Sequence, residues 1–407
     1  MTRFATLRFA DCGPQLTTEW QALAQTGGFN PTLAPSWFSV IVAALFGGGR
    51  GRMELLTRRE PNGTLSAVLP YFLSSRNMLG IGVSVLQPGS NLMSYHADIV
   101  ATGGVEEVLE TLLKQVSGWD LFHFANVPLE SATASALRAL APRVGSLLQV
   151  IEGEESPFLA INGTWASYLG SRNKKFRYKH RQRRELFAND PVFRLQWFDA
   201  PSGINQLLAD VLTVERQSWK SGAGLSIAGR EMELEYHRRL LPVLAQDGAL
   251  LANVLYRAER PIAYSLCCRC QGWVGHLKTS FDQEFASLSP GGYVIDASVE
   301  RAFDLEAKEF DFLGDAAPHK LAWTSATRKH GDFFLFGRTW KGRMIGLAKR
   351  CGQQGKIVLL PVQGTRANGS PRGSQDSRDT SHSLGNGGGA QCAGGLTIQD
   401  PNQVAVP

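Results

Sequence analysis

The stretch from Lys278 to Trp323 constrains the fold most, because it reads as strand, loop, helix, strand and loop in immediate succession. Ser289 is a good N-cap, and Pro290 suits the first helical position. Ile295, Val299, Ala302 and Phe303 then recur on one helical face. Gly291 and Gly292 fall in the first turn, where backbone N–H groups lack intrahelical partners. Two readings stand: a well-formed helix start, or a cradle where an anion such as a pyrophosphate meets those N–H groups along the helix dipole. Valine costs little in a first turn, so replacing either glycine is expected to spare stability. On the strand before this turn, His276, Lys278 and Ser280 are expected on one face by simple alternation.

A chain of 407 residues predicts two domains of ordinary size. With 43% hydrophobic and 19% charged residues it has ample material for a core. Its net charge of +6 suits an anionic ligand or a membrane surface but is too small to imply nucleic acid, and no DNA partner is expected. The N-terminal segment lacks the apolar core and cleavage site of a signal peptide, and no apolar run approaches the ~20 residues that span a bilayer. The expectation is a cytoplasmic chain, with peripheral attachment to a membrane left open. Cys267 and Cys270 have metal-site spacing but lie in an apolar strand, where an offset of three separates the thiols. They read as small hydrophobes. The chain has no phosphate-binding P-loop, dinucleotide turn, nucleophile elbow or zinc-protease helix, so no metal and no covalent intermediate is expected.

Taken in order, Met53–Thr57 and Leu65–Leu73 predict a hairpin around Pro61-Asn62-Gly63. The cluster Ser94-Tyr95-His96-Ala97-Asp98 fits either a substrate cleft, with His96 or Asp98 as proton acceptor, or polar packing at a strand start. Residues 141–160 hold Pro142, Gly145, Gly153 and Pro157 without a sustained period and read as a domain junction. Lys174 to Arg184 is almost continuously basic, while Phe176, His180, Arg183 and Phe187 share one helical face. Its outer surface is solvated, binds an anionic partner, or forms a nucleic-acid or membrane-headgroup patch. Trp340–Cys351 reads as a basic final helix, and 361–407 as a disordered tail.

The Ser289–Gly292 turn, the strand end Asp311-Phe312-Leu313-Gly314, the Lys320…Trp323 pair, Trp219-Lys220, Pro261-Ile262-Ala263 and the basic run together resemble the GNAT superfamily. More closely, they are similar to the acetyltransferase family named for cellulose biosynthesis, which shares its layout with Fem-type aminoacyltransferases. The resemblance implies an α+β fold of two tandem GNAT-like domains, 1–155 and 156–350, with mixed, mainly antiparallel sheets flanked by helices. It implies acetyl-CoA or another acyl-CoA as co-substrate, held by Ser289, Pro290, Gly291, Gly292 and Tyr293. His276, Lys278 and Asp98 would serve the chemistry, and Tyr95, His96, Trp219, Lys220, Lys320 and Trp323 would line the acceptor side. The acceptor would be a sugar or amine, such as an exopolysaccharide precursor. A Fem-like transferase using aminoacyl-tRNA, or a non-catalytic GNAT-like component, remains open beside it.

Overall fold

The structure, a computed structural model, describes residues 2–26, 31–46, 52–78, 80–92 and 95–351. Ser94, the glycines 47–49 and the 361–407 tail lie outside the described residues.

The first half begins with β1 (Arg3–Arg8), α1 (Pro14–Thr26) and α2 (Pro35–Ile41). The expected hairpin follows as β2 (Glu54–Arg59) and β3 (Leu65–Met78), paired antiparallel. Gly63, at φ +87, takes the left-handed position of the turn, and Asn62 Oδ1 accepts from Thr64 N–H at 3.0 Å. β4 (Ile81–Pro88), β5 (Val100–Ala101), α3 (Val105–Gln115), β6 (Leu121–Pro128) and α4 (Ala132–Arg143) complete this half. Val108, Leu109 and Leu112 form the apolar stripe of α3, packed with Leu137 and Leu140 of α4 over the sheet.

The segment that reads as a junction is the strand β7 (Leu147–Ala160). Its Glu152-Gly153-Glu154-Glu155 run is largely exposed, which hides the alternation a strand normally shows. The second half contains α5 (Trp165–Ser171), α6 (Lys174–Asn189), β8 (Phe193–Phe198), α7 (Ile204–Gln217), α8 (Trp219–Gly222) and α9 (Glu231–Gln246). It continues through β9 (Leu250–Arg257), β10 (Arg260–Cys270), β11 (Trp273–Phe281), α10 (Pro290–Asp304), β12 (Glu309–Asp311) and α11 (Pro318–Leu321). The chain then returns as β13 (Thr327–Phe336) and α12 (Trp340–Cys351).

Among the described residues the strands join into one continuous mixed sheet, in the order β1-β2-β3-β4-β6-β13-β7-β12-β11-β10-β9-β8. β13 lies between β6 and β7, so the C-terminal strand is inserted into the first half's sheet. β7 pairs with β13 along most of its length and with β12 at its end, which stitches the two halves together. They also share a core: Trp20, Trp37 and Phe38 pack in one cluster with Tyr236, Leu240 and Leu266. On the other face of the second half, α10 covers Cys267, Val274 and Phe310.

Candidate acyl-donor site

The site begins where two parallel strands part. β11 pairs with β12 only across Trp273–Gly275 and Glu309–Asp311. β11 then runs on to Phe281, while the other strand turns away through Leu313 and Gly314, both at positive φ. At the parting, β11 carries a bulge. His276 faces Cys267 of β10, and Lys278 faces the adjacent residue Leu266, so Leu277 is an extra residue.

The bulge corrects the expectation that His276, Lys278 and Ser280 share a face. Cys267 belongs to the core under α10, whereas Leu266 belongs to the core under α7 and α9. Cross-strand partners project on the same side, so the extra residue sends His276 one way and Lys278 the other. Lys278 is buried, with Nζ 3.4 Å from Glu233 Oε2 in the core beneath α9. His276 is buried beside Phe310, and its Nε2 has no hydrogen-bond partner among the described residues. Burial, helped by the charges of Lys320, His319 and Lys220, pushes its pKa down to about 3. Such an imidazole stays neutral near pH 7 and is too weak a base to take a proton efficiently there.

Beyond the bulge, side chains occupy two backbone carbonyls of β11. Tyr95 Oη donates to Leu277 O at 3.3 Å, and Lys220 Nζ donates to Thr279 O at 2.6 Å. Tyr95 comes from the first half, so the wedge is built by both. Half-buried Trp219 precedes Lys220 at the start of α8. Lys220 also lies 3.8 Å from Glu215, whose carboxyl also accepts from Tyr264 Oη and Ile227 N–H. Burial alone would raise the Glu215 pKa, but Lys220 and Lys278 outweigh it and hold the group ionised. Lys320 fastens the opposite lip, donating to Leu313 O at 2.7 Å and to Asp315 Oδ1 at 2.9 Å.

The turn into α10 differs from its expected form. Ser289 adopts φ 59 and ψ 47 rather than an extended conformation, and its side chain makes no capping bond. Gly292 and Tyr293 instead donate their N–H groups to Ser289 O at 3.1 and 3.3 Å. The glycines allow close packing at this turn. A Cβ on Gly291 would stand 2.8 Å from the Phe281 ring, and one on Gly292 would stand 3.2 Å from Arg183 Cδ. Arg183 reaches this turn from α6 while bonded in two places to Asp296, at 2.7 and 2.8 Å. Burial pushes the Asp296 carboxyl up to about 7 despite that pairing. Gly291→Val is therefore expected to cost about 1–3 kcal/mol through overpacking, not the small sum a first turn suggests. Urea unfolding checks this, and Phe281→Ala in the same chain should recover part of the loss.

The remaining expected residues separate in space. His96 leaves Tyr95 and enters the seam between the halves, with Nδ1 2.7 Å from His330 Nε2 and Nε2 2.7 Å from Asp311 Oδ2. Asp98 turns toward α4, accepting from Thr133 Oγ1 and from Ile99 N–H at 2.8 Å. Burial raises its pKa. Trp323 is core: only 4% exposed, it packs among Trp165, Tyr168, Phe176 and Phe312. Sequence reasoning missed Glu215, Glu233, Arg328 and His330, because each gains meaning only from a partner far along the chain. The inward stripe of α6, by contrast, is as expected: His180 and Phe187 are buried, and Phe176 meets Trp323.

Residues 174–321 match a family model described as "Acetyltransferase (GNAT) domain". A search of curated proteins returns no match. Among solved structures, FemX aligns with a TM-score of 0.56 and 12% identity over 81% of this chain and 98% of its own. A conserved protein of unknown function from Bacteroides thetaiotaomicron VPI-5482 gives 0.54 and 14%, over 83% and 100%. The C-terminal domain (DUF2156) of a putative lysylphosphatidylglycerol synthetase from Agrobacterium fabrum gives 0.50 and 8%, over 82% and 94%. At these identities the likeness is one of fold. The segment from Lys174 to Leu321 is a GNAT-type acetyltransferase domain set in a two-part α/β fold, and the class of reaction it carries is acyl transfer.

Proposed function

We propose that the chain moves an acetyl or longer acyl group from an acyl-CoA to an amine or hydroxyl of a sugar or cell-envelope precursor. The observation that carries this reading is the parting of β11 and β12 at the Leu277 bulge, directly before the turn into α10. A bulge that frees strand edge beside a helix start offers backbone groups to a thioester carbonyl and its amide-bearing arm. Direct transfer then needs positioning of the donor, polarisation of its carbonyl and removal of a proton from the acceptor. Ser289, Pro290, Gly291, Gly292 and Tyr293 would border the donor's phosphates, with the charge of Arg183 close behind Gly292. Tyr95, Trp219 and Lys220 would face the reacting end. His276 would act as a neutral hydrogen-bonding group rather than as the base. The split into 1–155 and 156–350 and the likeness to the cellulose-biosynthesis family belong to this same reading.

A second reading, aminoacyl transfer from tRNA, draws on the outer face of α6. Lys174, Lys175 and Lys179 are exposed and have no carboxylate within ion-pair distance among the described residues. Arg177 differs, since it donates to Gly170 O and Arg172 O and so holds the end of α5. Isothermal titration with acetyl-CoA, longer acyl-CoAs and charged tRNA decides between the readings. Saturable acyl-CoA binding is expected, and Tyr95→Phe should lower turnover at least about tenfold while sparing donor affinity. Absence of acyl-CoA binding, with tRNA binding that weakens steeply in salt and in a Lys174→Gln/Lys175→Gln/Lys179→Gln variant, would favour the second.

A further inference from the structure

The last described helix carries a feature that acyl transfer does not use. Glycines set α12 tightly against the sheet: a Cβ on Gly342 would stand 2.5 Å from Asp120 O, and one on Gly346 would stand 3.2 Å from Phe336. Ile345 fills the core on the same side, with Phe336, Val83 and Val85. With that face fixed inward, helical spacing turns Trp340, Met344 and Leu347 outward together. They are 64%, 46% and 59% exposed. Of the seven large exposed hydrophobics among the described residues, three thus fall in this one stripe, which makes it a patch rather than scatter.

The charged residues of this stretch are all of one sign. From Gly337 to Cys351 the sequence contains Arg338, Lys341, Arg343, Lys349 and Arg350 and no acidic residue. On the helical wheel Lys341, whose Nζ donates to Gly82 O at 2.7 Å, falls to one side of the stripe, and Arg343 falls to the other. Apolar residues led by a tryptophan and bordered on both sides by cations are the pattern of a helix that lies in a membrane interface.

We propose that α12 rests on an anionic lipid bilayer, with Trp340, Met344 and Leu347 entering the headgroup boundary and the flanking cations meeting lipid phosphates. No helix among the described residues is long and apolar enough to cross a membrane, so the contact lies along the surface. Nucleic acid would use the cations but has no use for exposed Met344 and Leu347. A second copy seated on the same stripe would bring two like-charged borders together. The lipid surface satisfies both halves of the pattern.

The test is flotation of the full chain with mixed phosphatidylglycerol–phosphatidylcholine vesicles, against phosphatidylcholine alone. Binding is expected to the anionic vesicles and to weaken with salt. The variant Trp340→Gln/Met344→Gln/Leu347→Gln should cut partitioning at least about tenfold with an unchanged melting temperature, because these side chains are exposed. Arg338→Gln/Arg343→Gln should also weaken binding and flatten its salt dependence. The proposal falls if the wild type ignores anionic vesicles, or if the triple variant binds them equally well. It also falls if light scattering shows a wild-type dimer that the triple variant loses. Vesicle binding that emerges only after truncation beyond Cys351 would make the tail the occupant of this face, and would likewise overturn it.

Discussion

Glu233→Ala is expected to lower the free energy of unfolding by about 3–5 kcal/mol, the range for stripping one partner from a buried ion pair. Glu233 is 1% exposed and Lys278 is 3% exposed, so neither charge has water to fall back on. Glu233 also accepts from Arg230 at 2.5 Å. Its removal leaves the Lys278 ammonium in the core, eased by Glu215, whose field it shares. That residual attraction places the expected loss toward the lower end of the range. Urea unfolding of the purified variant gives the value, and a loss below about 1 kcal/mol would mean that Lys278 finds water or another carboxylate. The double variant Glu233→Leu/Lys278→Met should be much closer to wild type, since replacing both charges removes the desolvation cost along with the attraction. The pair therefore bears on how Lys278 is tested as a catalytic group. If Lys278→Ala loses activity in step with its loss of folded protein, the ammonium holds the sheet to α9 and takes no part in the chemistry.

The second large effect concerns the seam. Asp311 ends β12 fully buried and gathers His96 Nε2 at 2.7 Å, Arg328 at 2.7 Å and Leu313 N–H at 2.9 Å, with Ser156 Oγ at 3.4 Å. These donors come from the first half, from β13, from its own loop and from β7, so one carboxylate ties four segments. Arg328 has a further partner in Glu309, at 3.0 Å, and His96 has one in His330, at 2.7 Å. Asp311→Ala is expected to cost about 3–5 kcal/mol at neutral pH, as for other broken buried pairs.

The pH dependence follows from the direction of the shift. Burial pushes the Asp311 pKa up, but His96 and Arg328 together outweigh it and hold the group below its ordinary value. A depressed carboxylate contributes its full stability above the unfolded pKa of about 3.9 and loses it as pH falls through the folded value. The difference between wild type and Asp311→Ala should thus be constant from pH 7 to about 5 and shrink below about 4.

Histidines act at higher pH. Burial depresses His330 and His276 to about 3, and His180, His237 and His319 to about 4. Between those values and about 6.5 the unfolded chain binds more protons, so stability should fall as pH drops from 7 toward 4 in wild type and variant alike. Urea midpoints across this range separate the two effects. A gap between the proteins that stays constant down to pH 3 would show that the Asp311 pKa is not depressed in the fold.

The sequence determined what short periods can encode. The hairpin at Pro61-Asn62-Gly63, the stripe of α3, the inward face of α6 at Phe176, His180, Arg183 and Phe187, and the strand–loop–helix order around Ser289 all follow from local chemistry and spacing. The broad α/β character was legible for the same reason, whereas the GNAT-like second half was legible as a resemblance to a known family. What only the tertiary structure decided is everything that depends on a distant partner. β7 is a strand because β13 and β12 flank it, although its own Glu152–Glu155 run looks like a linker. The Leu277 bulge is set by register against β10, and that single extra residue moves Lys278 from the expected site into the core. Gly291 is set by the Phe281 ring and Gly292 packs closely on the Arg183 side chain, neither of which the turn itself announces. His96 looks like a neighbour of Tyr95 and Asp98, yet it serves Asp311, more than two hundred residues along the chain. Alternation and helical period describe one strand or one helix at a time, whereas a face, a bulge and a buried charge exist only relative to the element packed against them.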